Sequence, residues 1–257
     1  MPLDAIIFDV DGTLAETEET HRIAFNQAFA EAGFPWVWTA DLYKRLLLVT
    51  GGKERISTYM REIGGDEGFA SDSAAIVALH RRKTEIYVQA ISQGACVLRP
   101  GVRDLIRSAH ASGLRLAIAT TTSLANVESL LLATIGAEYR TIFATIIAGD
   151  MVPNKKPSPD VYVAVLKTMN LTADRCIAVE DSRNGLLAAT AAGITTIVTR
   201  SCYAADDGMD EASRVVAALP DLVCIEAKAD DLVGTAIGDA ICDAVLHIHA
   251  KSSKRII

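Results

Sequence analysis

The run Ala5-Ile6-Ile7-Phe8-Asp9-Val10-Asp11-Gly12-Thr13 delivers two carboxylates two positions apart at the end of an apolar stretch, then turns at Gly12. In a strand, residues i and i+2 share a face; in a loop the two acids still stay close. Either geometry crowds negative charge, which is costly unless a cation or a shared proton compensates. A divalent metal is the natural remedy. The plain alternative is a buried strand ending in an Asp-Gly turn, since both residues favour turns. A calcium loop fails, because it needs glutamate at its twelfth position and counting from Asp9 that position is Thr20.

Three further polar clusters follow apolar runs or stiff loops. Thr120-Thr121-Thr122-Ser123 comes after Leu114 to Ala119, where a hydroxyl and the amides of a helix start hold a phosphate or merely cap the helix. Asn154 to Asp160 contains Lys155-Lys156-Pro157-Ser158-Pro159; a lysine pair is usually solvated, but the prolines restrict the loop and can hold one ammonium toward a negative site. Glu180 and Asp181 close the apolar run Cys176 to Val179, as metal ligands or as helix-start charges. Together the clusters supply a metal site, a nucleophile and oxyanion partners.

The elements that must position them are legible as alternating strands and helices. After the first strand, helical patterns near 17–32, 39–48, 53–63 and 72–92 are separated by Gly33, Gly51, Gly52, Gly64 and Gly65. Beyond Arg99-Pro100-Gly101 come helix 101–112, strand 114–120, helix 123–134, strand 142–148, helix 158–169, strand 175–179, helix 182–192 and strand 194–199. This alternation predicts an α/β fold, a Rossmann-like doubly wound parallel sheet with ligands at the carboxyl ends of its strands. The expected core is 1–15 with 96–210, an inserted α-helical cap covers 16–95, and a C-terminal extension covers 211–257. Within the extension, Leu232, Val233, Ile237, Ile241, Val245 and Ile248 predict a helix over 229–249 docked on the core, followed by Lys251, Lys254 and Arg255 as a basic tail.

At 257 residues, half of them hydrophobic, the chain can bury a sizeable core. Its net charge of -7 argues against nucleic acid as a partner. Five scattered cysteines without a C-x-x-C pair suggest reduced thiols in a cytoplasmic protein. The N-terminus enters a strand too early for a signal peptide, and no apolar run is long enough for a membrane span. A monomer is expected.

In order and spacing, the four clusters resemble the motifs of the haloacid dehalogenase superfamily of phosphohydrolases, with the family's helical cap inserted after the first; the resemblance covers residues 4 to about 205. It implies that Asp9 is a nucleophile forming an aspartyl-phosphate and that Asp11 is the general acid and base. It also implies Mg2+ held by Asp9, Asp11 through its backbone carbonyl, Asp181 and Glu180, the last directly or through water. Thr120 and Lys156 match the phosphate-binding hydroxyl and lysine, Lys156 rather than Lys155 because it directly precedes Pro157. An acid at position 11 separates the chain from the superfamily's dehalogenases and favours phosphate esters.

The segments 15–22, Thr50 to Arg55, Leu79 to Glu85 and Leu98 to Gly101 resemble the CbbY branch of its sugar phosphatases. That branch is associated with carbon-fixing organisms. It acts on xylulose 1,5-bisphosphate, a misfire product that inhibits rubisco of the Calvin cycle, and yields xylulose 5-phosphate. The implied distal phosphate site uses Gly52, Lys53 and Arg55, then Lys83, with Thr121 and Thr122 on the core side and Glu16 on a sugar hydroxyl; His21 reads as structural. Two other readings stay open. One is a phosphosugar mutase of the beta-phosphoglucomutase type, and the other is a non-catalytic phosphosugar sensor.

Overall fold

The apolar runs form an all-parallel sheet in the order β3-β2-β1-β4-β5-β6. Its strands are β1 Ala5–Phe8, β2 Arg115–Ala119, β3 Phe143–Ile147, β4 Cys176–Glu180, β5 Thr195–Thr199 and β6 Arg214–Val216. The structure is a computed structural model, which describes residues 2–64, 70, 73–204, 208–226 and 237–253. Every residue of β1 is buried, as expected for a central parallel strand covered on both faces. Its register aligns Phe8 with Ile118 on one side and with Val179 on the other. The next row therefore brings Asp9, Ala119 and Glu180 to one edge. The Asp9 amide continues the ladder to Val179 O at 3.0 Å.

Five described helices lie between β1 and β2: α1 Glu18–Glu31, α2 Ala40–Leu46, α3 Gly52–Glu62 and α4 Ala74–Ser92 form an inserted block, and α5 Val102–Ala111 comes after it. The rest of the chain adds α6 Leu124–Thr134, α7 Tyr139–Ile142, α8 Asp160–Met169, α9 Arg183–Ala191, α10 Asp221–Glu226 and α11 Ile237–Ser253. Aromatic rings fill the inserted block: Phe25 lies 4.7 Å and Phe29 4.8 Å from the Trp38 ring, and Tyr59 meets Trp38 edge-on at 5.5 Å. Such pairs add to area burial. Asn26 fixes Trp38 by accepting from its backbone N at 2.7 Å and donating to its carbonyl at 2.9 Å. In the second half, α11 packs along α5 with Ile241, Val245 and Ile248 buried.

The inserted block leaves and re-enters the core at one place. Ala15 bridges Leu98 in antiparallel fashion, and the Arg99 amide donates to Leu14 O at 2.8 Å. The Arg99 side chain then ties this junction down. It donates to the carbonyls of Gly12, of Thr199 at 2.8 Å, of Arg200 at 2.6 Å and of Ala217 at 2.9 Å, and pairs with Glu16 at 3.1 Å. Losing the charge-assisted hydrogen bonds of this guanidinium costs about 1.5–3 kcal/mol. Arg99→Ala should therefore lower the melting temperature by roughly 3–12 °C at about 2–4 °C per kcal/mol, as read by calorimetry. A shift under about 2 °C would show the clamp to be dispensable.

Short elements depart from expectation. The three-residue β6, the six-residue α10 and the four-residue α7 escape any periodicity. The last helix is described over Ile237–Ser253 and so runs past 249, while residues 229–236 of the expected helix lie outside the described residues; Ile237 is exposed. Gly65, Leu232, Val233, Lys254 and Arg255 lie outside the described residues. All five cysteines are free thiols, and among the described residues no helix is long and apolar enough to cross a membrane.

Candidate active site

The strand ends at Phe8, so Asp9 and Asp11 stand on the loop that follows and point to different partners. Asp9 is buried and receives the Lys156 ammonium on Oδ1 at 2.6 Å. That ammonium also donates to Glu180 Oε1 at 2.6 Å and to Ala119 O at 2.9 Å, which uses all three of its N–H groups. Glu180 Oε1 accepts in addition from the Tyr162 hydroxyl at 2.5 Å. Asp181 Oδ2 accepts from Ser201 Oγ at 2.6 Å.

Gly12 makes this crowding possible. It has φ of +80°, and a Cβ there would lie 2.1 Å from Asp181 Oδ2. Burial pushes Asp9 up to about 7, with help from the charges of Glu180 and Asp11 and against that of Lys156. Burial and the charges of Asp9 and Glu180 likewise push Asp181 well above the usual carboxylate range. Burial would lower Lys156, but Asp9 and Glu180 outweigh it and hold the ammonium protonated.

Such a set invites a cation. Asp9, Glu180 and Asp181 each offer an oxygen within 4.8 Å of the others, and Glu180 Oε2 is buried without a hydrogen-bond partner. The donors are hard oxygens, which fit Mg2+ and not a thiophilic metal. The Asp11 carboxylate stands outside this trio.

Asp11 is instead gripped from the inserted block. Thr17 Oγ1 donates to its Oδ1 at 2.6 Å, and His21 Nε2 meets the same oxygen at 3.0 Å. On the other side of the imidazole, Nδ1 lies 2.6 Å from Lys83 Nζ. An ammonium cannot accept, so Lys83 donates to Nδ1 and the His21 proton sits on Nε2, facing Asp11. Burial and the Lys83 charge keep His21 neutral. Burial pushes Lys83 down to about 7, with Arg55 adding to the fall and Asp11 and Glu18 opposing it. For Asp11 itself burial is outweighed by the hydrogen bonds of His21 and Thr17 and by the Lys83 charge, so it stays below the usual carboxylate range.

Thr120 directly follows β2 and lines the same cavity as Asp9. It is buried, and its Oγ1 accepts from the Thr122 amide at 3.3 Å, which leaves its own proton to donate. Thr121, Thr122, Gly52, Arg55 and Lys83 line one cavity with Asp9, Asp11, Lys156 and Asp181. Glu180 is walled off beneath it. Two residues expected at the substrate do not line the cavity. Lys53 pairs with Asp150 at 3.4 Å, and Glu16 is taken by Arg99 and by the Cys202 amide at 3.3 Å. Arg55 keeps its place: it donates to Leu46 O at 3.2 Å, Tyr43 Oη at 3.0 Å and Val49 O at 3.3 Å, and makes no ion pair among the described residues.

Lys155, next to Lys156, reaches the opposite way and holds Glu54 of α3 with 2.9 Å to each oxygen. Thr50 donates to the Lys156 carbonyl, and Asn184 Nδ2 to Leu48 O at 3.2 Å. These contacts fasten the inserted helices over the strand ends. Thr17, Tyr162 and Ser201 escaped the sequence reading. A hydroxyl and an imidazole four residues apart at the start of a helix fall on one face, and the structural role expected of His21 takes the form of a hold on Asp11.

A family model described as haloacid dehalogenase-like hydrolase matches residues 3–193. The chain is 47% identical over 220 residues to the protein CbbY of Cereibacter sphaeroides, covering 86% of this chain and 94% of that one. It is 28% identical over 199 residues to the phosphorylated carbohydrates phosphatase of Thermotoga maritima, covering 76% of this chain and 84% of that one. The crystal structure of a point mutant of CbbY from Rhodobacter sphaeroides in complex with xylulose 1,5-bisphosphate superposes with a TM-score of 0.79 at 47% identity, covering 84% of this chain and 94% of that one.

Proposed function

The chain belongs to the haloacid dehalogenase-like hydrolases and is a phosphatase, and from that footing we propose that it is a magnesium-dependent phosphatase of sugar bisphosphates, converting xylulose 1,5-bisphosphate to xylulose 5-phosphate. The observation that carries the reading is the division of labour between the two acids, with Asp9 on Lys156 beside Glu180 and Asp181, and Asp11 on Thr17 and His21. One acid is poised for attack and metal binding, the other for proton transfer. The similarity to CbbY, crystallised with this bisphosphate, supports the substrate.

In the proposed reaction Asp9 attacks phosphorus, forming an Asp9 O–P bond as the bond from phosphorus to the sugar oxygen breaks. Asp11, an anion in the free site, takes up a proton as the phosphorylated substrate binds and gives it to the departing alkoxide. It then takes one from water, which attacks the aspartyl-phosphate, frees inorganic phosphate and restores Asp9. The Lys156 ammonium and the Thr120 hydroxyl donate to the phosphoryl oxygens. Asp9, Asp181, Glu180 and the Asp11 backbone carbonyl would hold Mg2+, which when bound neutralises phosphoryl charge and the crowded carboxylates. The neutral His21, braced by Lys83, orients Asp11 and stabilises its anion.

Release of inorganic phosphate from a panel of phosphorylated sugars, with and without Mg2+, tests the reading. The bisphosphate should have the highest kcat/KM without any added activator. Phosphate release that requires a bisphosphate activator would favour a mutase, and binding without turnover a sensor.

Arg55 is the best candidate for the distal phosphate, because a buried guanidinium without a carboxylate has room for an anion. Losing a charge-assisted hydrogen bond costs about 1.5–3 kcal/mol, so Arg55→Gln should lower kcat/KM roughly 10 to 150-fold on the bisphosphate. The loss on a small monophosphate should be much smaller, and equal losses would refute the assignment. Lys53→Ala, at a residue already paired with Asp150, should change the ratio little.

A further inference from the structure

Glu180 lies beneath the cavity with one oxygen saturated and the other bare. Oε1 accepts from the Lys156 ammonium at 2.6 Å and from the Tyr162 hydroxyl at 2.5 Å, which fills both of its lone-pair directions. Oε2 is buried and has no hydrogen-bond partner among the described residues. Only a glycine at 185 admits it, since a Cβ there would lie 1.8 Å away. An acceptor left bare in the interior is costly, and Glu180 bears that cost where it, Asp9 and Asp181 each offer one oxygen to a common point.

Both donors to Oε1 come from one short piece of chain. At the start of α8, Asp160 accepts from Ser158 Oγ at 2.6 Å, from the Asn154 amide at 3.1 Å and from Asn154 Nδ2 at 2.9 Å. These bonds close residues 154–160 into a loop that sets Lys156 and Tyr162 on the same carboxylate. Tyr162 is fully buried, and its ring centre lies 5.3 Å from the Lys156 ammonium. The lining of the cavity includes neither Tyr162 nor Glu180 among the described residues, so the hydroxyl does not meet a substrate. Its work is on Glu180. Without it, the carboxylate is free to turn and hold the ammonium with both oxygens, and Oε2 is withdrawn.

We propose that Tyr162 is a positioning residue for metal binding: its hydroxyl pins Glu180 Oε1 beside Lys156 and so keeps Oε2 free for the cation or for a water that the cation holds. The proposal rests on the magnesium-dependent reading of the site. It gives the loop 154–162 two tasks, the placing of Lys156 and the aiming of a carboxylate on another strand.

The test compares Tyr162→Phe, which deletes one oxygen and keeps the ring beside Lys156, with the unaltered enzyme. Calorimetric titration of the full chain with Mg2+ should show the dissociation constant rise about 10 to 100-fold, the usual effect of losing a group that orients a metal ligand. The Mg2+ concentration needed for half-maximal phosphate release should rise in step, and kcat should recover at saturating Mg2+. In a Glu180→Gln background the amide turns its oxygen to Lys156 and its NH2 toward the cation, so the same change should add almost nothing. An unchanged dissociation constant, a fall in kcat that saturating Mg2+ does not restore, or an equal effect in the Glu180→Gln background would overturn the proposal. Loss of the fold in Tyr162→Phe, read from melting curves, would make the hydroxyl a structural one and overturn it too. An unaltered enzyme that Mg2+ neither binds nor activates would instead overturn the magnesium reading, and this proposal with it.

Discussion

Asp9→Asn should remove turnover altogether while the chain stays folded. An amide cannot attack phosphorus, and removal of a nucleophile costs on the order of 10^5-fold or more. The fold should survive because the native carboxylate is crowded: it shares Lys156 with Glu180 and has a proton affinity raised to about 7 by burial and neighbouring acids. The asparagine oxygen can still accept from Lys156, and one negative charge leaves the cluster. The melting temperature of the metal-free protein should stay the same or rise by a few degrees, as when crowded active-site groups are replaced elsewhere. Phosphate release and calorimetry check both halves, and measurable turnover by this variant would remove Asp9 from its role.

Asp11→Asn should behave differently. Its side chain is held by Thr17 and His21 rather than by the acidic trio, so an amide can accept the same two hydrogen bonds. The backbone carbonyl assigned to the metal is untouched. What goes is proton transfer, worth about 10^2 to 10^4-fold. With a good leaving group such as an aryl oxide, which needs little protonation, Asp9 should still become phosphorylated. The aspartyl-phosphate should then persist, since no base activates water. Mass spectrometry of the quenched variant should find one phosphoryl group, on Asp9. Label on another residue, or none with a good leaving group, would refute the division of roles.

The frame that sets these acids was largely legible. Ile6 to Phe8, Leu116 to Ala119 and Cys176 to Val179 are buried strands whose apolar runs say so, and the polar residues directly after them meet because parallel strands end at one edge. Long-range pairing was not legible. Lys53 and Lys155 look equally available in the sequence, yet Asp150 takes one and Glu54 the other, across 97 and 101 positions of chain. The same holds for Glu16, consumed by Arg99 at the junction. The environment of His21 was hidden for a related reason, since a histidine on an apolar helix face gives no sign that a lysine 62 residues away will fix its tautomer.

The junction itself bears on how such a protein can change over time. The excursion of more than eighty residues between Ala15 and Leu98 begins and ends as neighbouring backbone segments bridged to each other, and Arg99 seals the core beneath them. No hydrogen bond of the sheet depends on what lies between. A shorter or longer excursion with the same two ends could replace it as a cassette, altering which molecules reach Asp9 while the reacting groups contributed by the strands stay in place. Asp11 is the exception. Its grip by Thr17 and His21 belongs to the cassette, so every exchange would have to reinvent how the proton donor is aimed.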